Sequence, residues 1–467
     1  MIRVAVIGSG ASALSAIHAA LDANLKIQVD LFDPWIELPK INETPPTLEP
    51  KQIAKKGKFG SLAMYDYPSG SVTFHPSLHI PLSGTVGGLT SVWGANSLVP
   101  DLISLAKLTE RYTQESINWV TRTAKITDLG NVVDTDNFYV SRRFRGLLER
   151  FTTRDGVTLN ASTLSLDTKS CIKRGGCLSG CKEHAIFSAE HGIYQLVSEG
   201  TVKLNKSFVQ KIIVQSESNL TLEADTVQNV GILYKGYDKV FVTCGAIASC
   251  ALLQRSELVP QSISLRDTQV FYSAYYLLEK REESSISIEL AQLFLRKNRI
   301  LHISLYEFSS QFLDRARLII GPLVALIPKR FWRHIVAGIG FVDSSYSGRL
   351  ILDYRDNRTY VRQSFNKKSK HQIRRNLSAV RKGLSEIGLL YIPFLTQVPN
   401  VGASYHVGVA SSQDDLLFNS RGKLESFPGL EVYVLDSSSL LELPVGPITT
   451  TVMAAAYGRT MLALSND

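Results

Sequence analysis

Ile2-Arg3-Val4-Ala5-Val6-Ile7-Gly8-Ser9-Gly10-Ala11-Ser12-Ala13 sets the fold of this chain. Residues 2–7 are apolar and mostly β-branched apart from one arginine, which predicts a short buried strand. Two glycines follow, and then an alanine-rich stretch to Ala23 that predicts a helix. A second apolar run, Ile27–Phe32, predicts another strand and ends at Asp33. Strand, tight glycine turn, helix, strand and acid form a βαβ dinucleotide-binding unit. Gly8 permits the sharp turn. Gly10 lets a diphosphate approach the backbone where Ala11 and Ser12 open the helix, and free amides and the helix dipole favour anions there. Ala13 stands where a third glycine is usual and is small enough for close helix–strand packing. Asp33 can accept hydrogen bonds from ribose hydroxyls, and its charge argues against a ribose 2′-phosphate. The pattern alone does not choose between FAD and NAD.

The rest of the chain sets the limits. Its 467 residues are comfortable for two domains. At 44% hydrophobic and 20% charged, it can bury a core, which excludes a disordered or collagen-like protein. Five cysteines, an odd number, exclude a disulfide scaffold and fit a reducing compartment. The net charge of +9 is modest for this length. No nucleic-acid-binding motif is present, so no nucleic-acid partner is expected. The chain opens on a strand rather than a secretory signal, and it has no apolar run of about 18–20 residues. The expected location is cytoplasmic, with the inner face of the membrane as an alternative.

A second glycine-rich segment runs Gly84-Thr85-Val86-Gly87-Gly88-Leu89-Thr90-Ser91-Val92-Trp93-Gly94-Ala95-Asn96. Its glycines and small hydroxyl residues predict backbone packed against something flat or anionic. Trp93 and the apolar flanks argue against a plain surface loop. Gly87, Gly88, Trp93, Gly94 and Asn96 resemble the glucose–methanol–choline (GMC) family of FAD oxidoreductases, closest to small bacterial members of polysaccharide and secondary-metabolite pathways. That resemblance implies that this segment, Thr90 and Ala95 included, lies along the FAD pyrophosphate and isoalloxazine.

Further blocks carry the same resemblance. Tyr237–Ala246 resembles the strand and Gly-Ala turn by which the family's chain returns to the FAD domain, which implicates Gly245. In Phe208–Ile212, Val209 takes the place of a valine whose backbone touches adenine. Ser404-Tyr405-His406-Val407-Gly408, Leu430–Ser438 and Pro444–Ala454 resemble the C-terminal signature, which is a histidine near a glycine, a strand ending Asp-x-Ser, and a Pro-Thr helix start. The resemblance makes His406 the base that removes a hydroxyl proton while hydride passes to flavin N5. A neutral imidazole suits that task because its ordinary pKa lies near working pH. Asp436 and Ser437 then lie near the pyrophosphate or ribityl chain. Pro447, Ile448 and Thr449 open a helix whose N-terminus favours negative charge at the flavin N1–O2 edge.

The departure from the family is Gly446, where many members carry a second His or an Asn. The substrate oxygen must then be held by Asn96, Tyr405 or a backbone group, or the chemistry differs. The same family includes a lyase and a photodecarboxylase.

Cys171-x5-Cys177-x3-Cys181 fits neither zinc nor iron–sulfur spacing. It reads first as a structural loop, with a disulfide or a metal as alternatives, so no metal is assigned. Cys244 and Cys250 read as small buried residues. Residues 318–342 hold two apolar pieces around Pro328-Lys329-Arg330-Phe331-Trp332-Arg333-His334. They read as a core helix and strand, or as a membrane-surface contact. The basic stretch from Lys367 to Lys382 reads as a solvated helix face.

The expected fold is α/β. A Rossmann-like FAD-binding domain is expected from residues 1–35, 70–105, 200–260 and 400–467. A second sheet-containing α+β substrate domain is expected from residues 36–69, 106–199 and 261–399. The expected function is FAD-dependent oxidation of a sugar, lipid-linked or natural-product alcohol. Oxygen, a quinone or a protein is left open as electron acceptor. Alternatives are a non-oxidative or photochemical step on the same fold, or a non-catalytic flavin-binding partner protein. His75 and His79 are candidate points of covalent flavin attachment.

Overall fold

The computed structural model describes residues 1–34, 71–78, 80, 83, 85–91, 93–100, 105, 108, 110–132, 139–153, 155–173, 177, 181, 183–217, 219–226, 228–279, 288–308, 313, 321, 327–366, 368–403 and 406–465. The predicted βαβ unit is present as β1 (Ile2–Ile7), α1 (Ala11–Asp22) and β2 (Ile27–Phe32). β1 pairs in parallel with β2 on one side and with β11 (Lys239–Val242) on the other. β22 (Val432–Val434) and β7 (Lys203–Asn205) complete a parallel sheet in the order β22-β11-β1-β2-β7. Both faces of this sheet are covered, which is why β1 reads as a continuous apolar run. Val4 and Val6 pack with Ala13, Ala16 and Ile17 of α1 and Ala456 of α8 (Thr449–Leu464). Ala5 and Ile7 face a small antiparallel sheet of β8 (Phe208–Ser216), β9 (Asn219–Asp225) and β10 (Ile232–Tyr237). The chain therefore has the α/β fold expected.

Two six-stranded sheets follow. One is ordered β21 (Asp415–Leu416), β20 (Val407–Ser412), β12 (Ser262–Asp267), β17 (Arg349–Arg355), β18 (Arg358–Ser364), β3 (Val72–Phe74). α5 (Ala246–Arg255) leads from the parallel sheet onto it, and Cys250, Leu252 and Leu253 share a core with Leu265 and Leu350. The other is fully antiparallel: β19 (Leu389–Gln397), β13 (Val270–Leu277), β16 (Ile335–Val342), β15 (Leu301–Glu307), β14 (Leu293–Lys297), β5 (Val157–Ala161). On one face of it α7 (Lys368–Glu386) seats Ile373, Leu377, Val380 and Leu384, a stripe at helical spacing. The basic residues of α7, including Arg374, Arg375, Arg381 and Lys382, are exposed, a solvated face as expected. α2 (Glu110–Thr123), α3 (Arg142–Arg150), α4 (Ala189–Ser198), the short α6 (Lys329–Trp332) and the pair β4 (Ile126–Asp128) and β6 (Thr163–Ser165) complete the described elements.

The structure settles part of the 318–342 reading. Ile335–Val342 is β16, a central strand between β13 and β15, and it is buried by its own sheet. Its apolarity belongs to the core and not to an interfacial segment. Most of the preceding apolar piece lies outside the described residues. Among the described residues no helix is long and apolar enough to cross a membrane.

Candidate active site

The parallel strands all point their carboxyl ends at one cleft of about 280 Å³. Its walls are the turns after β1 (Gly8-Ser9-Gly10), β2 (Asp33-Pro34), β11 (Thr243-Cys244-Gly245) and β22 (Asp436-Ser437). This is where open parallel sheets bind ligands. The backbone of Gly87-Gly88 crosses directly over the first turn, with the Gly87 amide donating to the Ser9 carbonyl at 3.0 Å. Ser207, Phe208 and Val209 close one end, and Ile448, Thr449 and Val452 of the α8 N-terminus close another.

Two glycines of the first turn exist for different reasons. Gly8 has φ +102°, and an added Cβ would lie 3.0 Å from the Thr243 carbonyl oxygen, so the fold requires glycine there. Gly10 has φ −77°, which any residue adopts, and nothing lies within 4 Å of a Cβ placed on it. The protein itself does not require glycine at position 10. Gly10 is also the N-cap of α1 and supplies no side-chain cap to the helix amides. Beside it, the hydroxyl of Ser9 is buried without a hydrogen-bond partner. A helix N-terminus with uncapped amides, an orphaned hydroxyl and cleared space in front of Gly10 fit a diphosphate. Asp33 at the end of β2 fits a ribose.

The structure brings Gly8, Gly10, Ala11, Ser12, Asp33, Gly87, Gly88, Thr90, Val209, Gly245, Asp436, Ser437, Ile448 and Thr449 to this cleft. Ala13 does not line it; the methyl is fully buried between α1 and the sheet. Trp93 is also turned away, its Nε1 donating to the Phe187 carbonyl at 2.8 Å. Gly94 and Pro447 are not on the wall, and Ala95 is buried with its carbonyl accepting from the Ser165 amide at 2.8 Å. Asp436 is engaged by protein. Its carboxylate accepts from the Gly245 amide (3.1 Å), the Ser249 hydroxyl, and the amide (2.9 Å) and hydroxyl (2.6 Å) of Ser438. It braces the turns after β11 and β22 rather than presenting charge to a ligand. Ser9, Ser207, Phe208, Thr243 and Cys244 line the cleft without having been singled out; Ser9 was findable inside the glycine fingerprint.

His406 stands just behind this wall, adjacent to Val407, whose carbonyl accepts from Ser437 Oγ at 2.6 Å. The imidazole is 4% exposed and stacks on Phe341 at 4.6 Å between ring centroids. Burial pushes its pKa down to about 3, so it is neutral at working pH. The strand it leads into is bulged. Leu265 and Arg266 of β12 oppose Ala410 and Gly408, leaving Val409 as the extra residue, at φ +53°. Such strain in a β-branched residue is rare, and a bulge here re-aims the chain next to His406. Tyr405 and His79 lie outside the described residues. His75 is exposed on the loop after β3 and bonds Ser77, away from the cleft.

Sequence reasoning did not find His302. It is fully buried on β15, with Nε2 2.9 Å from Ser304 Oγ. Asn96, the amide expected to hold a substrate oxygen, donates one of its hydrogens to the same hydroxyl. Burial, then Arg296 and His406, push the His302 pKa down to about 3. Cys171, Cys177 and Cys181 are free thiols packed against the core, and burial pushes Cys177 up to about 11.

Two such histidines make stability depend on pH with a definite sign. Between pH 6.5, the ordinary value, and about 3, the unfolded chain binds protons at both sites and the folded chain does not. Their contribution is therefore complete above pH 6.5 and lost as pH falls towards 3. Buried Asp267, raised to about 7, works the other way between 3.8 and 7. The expected result is a thermal midpoint at pH 5, relative to pH 7, that is lower in the parent than in His302→Phe, because the variant keeps the opposing Asp267 and loses one of the two histidines. Calorimetry at both pH values checks it; equal slopes in the two proteins contradict it.

Neither a family profile nor a curated protein matches the chain. Solved structures do match in shape. Pyridoxine 4-oxidase from Mesorbium loti superposes with TM-score 0.62 at 13% identity, covering 98% of this chain and 99% of that one. A formate oxidase variant of Aspergillus oryzae RIB40, described for its effect on FAD modification, gives 0.58 at 11% identity over 99% and 98%. A fungal aryl-alcohol oxidase gives 0.58 at 11% over 99% and 98%. The chain has the fold of these GMC oxidases over its full length.

Proposed function

We propose that this chain is an FAD-dependent oxidoreductase that oxidises an alcohol. The observation that carries the reading is one cleft in which the uncapped α1 N-terminus, the orphaned Ser9 hydroxyl and the crossing Gly87-Gly88 backbone meet, with neutral His406 behind its wall. Amides from Gly10 to Ser12, with Ser9, would hold the diphosphate, Asp33 the ribose, and Ser207 to Val209 the adenine end. FAD, when bound, supplies the two-electron acceptor that no side chain provides.

The protein's own part is proton transfer and positioning. His406 accepts the hydroxyl proton, and it can do so because burial keeps it unprotonated. Phe341 holds its ring in place and excludes water from one face. The N-terminus of α8 favours negative charge that develops near it. Phe341, Ile339 and Tyr272 cluster on the sheet face beside His406 and favour an alcohol with an apolar part over a bare sugar.

The visible spectrum of the purified protein is the first test. The expected outcome is a yellow protein, or a colourless one that takes up added FAD, and turnover with members of an alcohol panel under an artificial electron acceptor. A protein that shows no flavin bands and does not quench FAD fluorescence on mixing returns the glycine turn to a nicotinamide cofactor and overturns the proposal.

A further inference from the structure

Residue 446 has no room for a side chain. Its φ of +121° suits only glycine, and a Cβ placed there would lie 3.1 Å from Cγ and 3.3 Å from Cδ2 of His302. The space that a side chain at 446 would enter is filled by Leu98, whose Cδ1 would lie 3.0 Å from that Cβ, and by an imidazole from a distant strand.

That imidazole is firmly placed. Phe294 stacks on it at 5.6 Å between ring centroids with planes 19° apart. Phe341 meets it at 6.2 Å and stacks on His406 in turn, so one aromatic ring serves both histidines. The hydrogen bonds also favour one tautomer. Asn96 Nδ2 donates to Ser304 Oγ, which occupies a lone pair of the hydroxyl oxygen. Nε2 of His302, 2.9 Å away, is the acceptor within reach of the hydroxyl hydrogen, and a hydrogen given to it there places the ring proton on Nδ1. Nδ1 is buried and has no hydrogen-bond partner. An unpaired buried donor is costly to a fold, and a ligand oxygen beside it would complete it.

Resting on the alcohol-oxidising reading above, we infer that His302 is the second imidazole of the reaction centre, with its Nδ1–H donating to the substrate oxygen. The substrate O–H bond breaks and its proton passes to His406. The proton on His302 Nδ1 stays where it is and stabilises the oxygen as it gains negative charge. Asn96 and Ser304 are positioning residues that hold His302 in the donating tautomer.

The test combines histidine-selective 15N NMR of the FAD-loaded protein with kinetics of His302→Phe, which keeps the ring volume and both stacks. The expected spectrum contains an imidazole, absent from the variant, that carries its proton on Nδ1. The expected turnover of the variant is about 100-fold slower, the usual effect of deleting one preorganised donor to a developing oxyanion. A ring protonated on Nε2 overturns the inference, as does a variant whose kcat and kcat/KM stay within about threefold of the parent. FAD-loaded parent protein that turns over no alcohol removes the oxidation reading, and this inference with it.

Discussion

Replacing His406 by alanine is expected to leave a folded, flavin-binding protein whose alcohol turnover falls by about 10²–10⁴-fold, the range that a positioned general base contributes. Phe341 stacks on this ring, and the cofactor cleft is walled by Val407 rather than by His406 itself, so cofactor binding is spared. Added imidazole should restore part of the rate, because the space left beside Phe341 has the shape of the ring removed. The pH profile gives a second signature. With the pKa pushed down to about 3, His406 remains a base through the mildly acidic range, so kcat/KM of the parent should show no acidic limb near 6.5. A His406→Ala variant within tenfold of parental kcat, or a parental limb at 6.5, would remove this histidine from the proton-transfer role.

The parts of this site legible from sequence are those that depend on neighbours along the chain. The β1–α1–β2 unit is one continuous stretch, and its glycines, small residues and terminal acid each follow from local geometry. The start of α8 was legible for the same reason, since a proline stands just before a run of threonines that opens an alanine-rich helix. The partners of Asp436 were not legible. Its bond to Ser438 is a local cap, but those to Gly245 and Ser249 come from the turn and helix after β11, which no spacing rule connects to it. His302 was invisible for a stronger reason. It lies in a strand buried along its whole length, and its meaning comes from Gly446, 144 residues away in the chain, where an added Cβ would lie 3.1 Å from the ring. The glycine was noticed as a missing side chain; only the fold shows that another residue fills the gap. The extra residue at Val409 belongs to the same class, because a bulge is set by the opposing strand rather than by the bulged sequence.

Gly10→Asp should separate the demands of the fold from those of the ligand. Position 10 has φ −77° and ψ −172°, and nothing lies within 4 Å of an added Cβ, so aspartate fits without strain. It is also a better N-cap than glycine, by a few tenths of a kcal/mol, and an acid at a helix N-terminus is favoured by the dipole. The cofactor-free variant should therefore melt at the parental temperature or slightly above it. FAD binding should weaken by at least about 100-fold, because a carboxylate set against a diphosphate costs several kcal/mol and each 1.4 kcal/mol is tenfold in affinity. Gly8→Asp makes the contrast. There φ is +102° and the new Cβ lies 3.0 Å from the Thr243 carbonyl oxygen, so the fold itself should lose about 1–3 kcal/mol. Both variants lose the cofactor, but only Gly8→Asp lowers the melting temperature of the cofactor-free protein. If Gly10→Asp retained parental FAD affinity, the α1 N-terminus would not be the diphosphate site, and the cleared space in front of Gly10 would need another occupant.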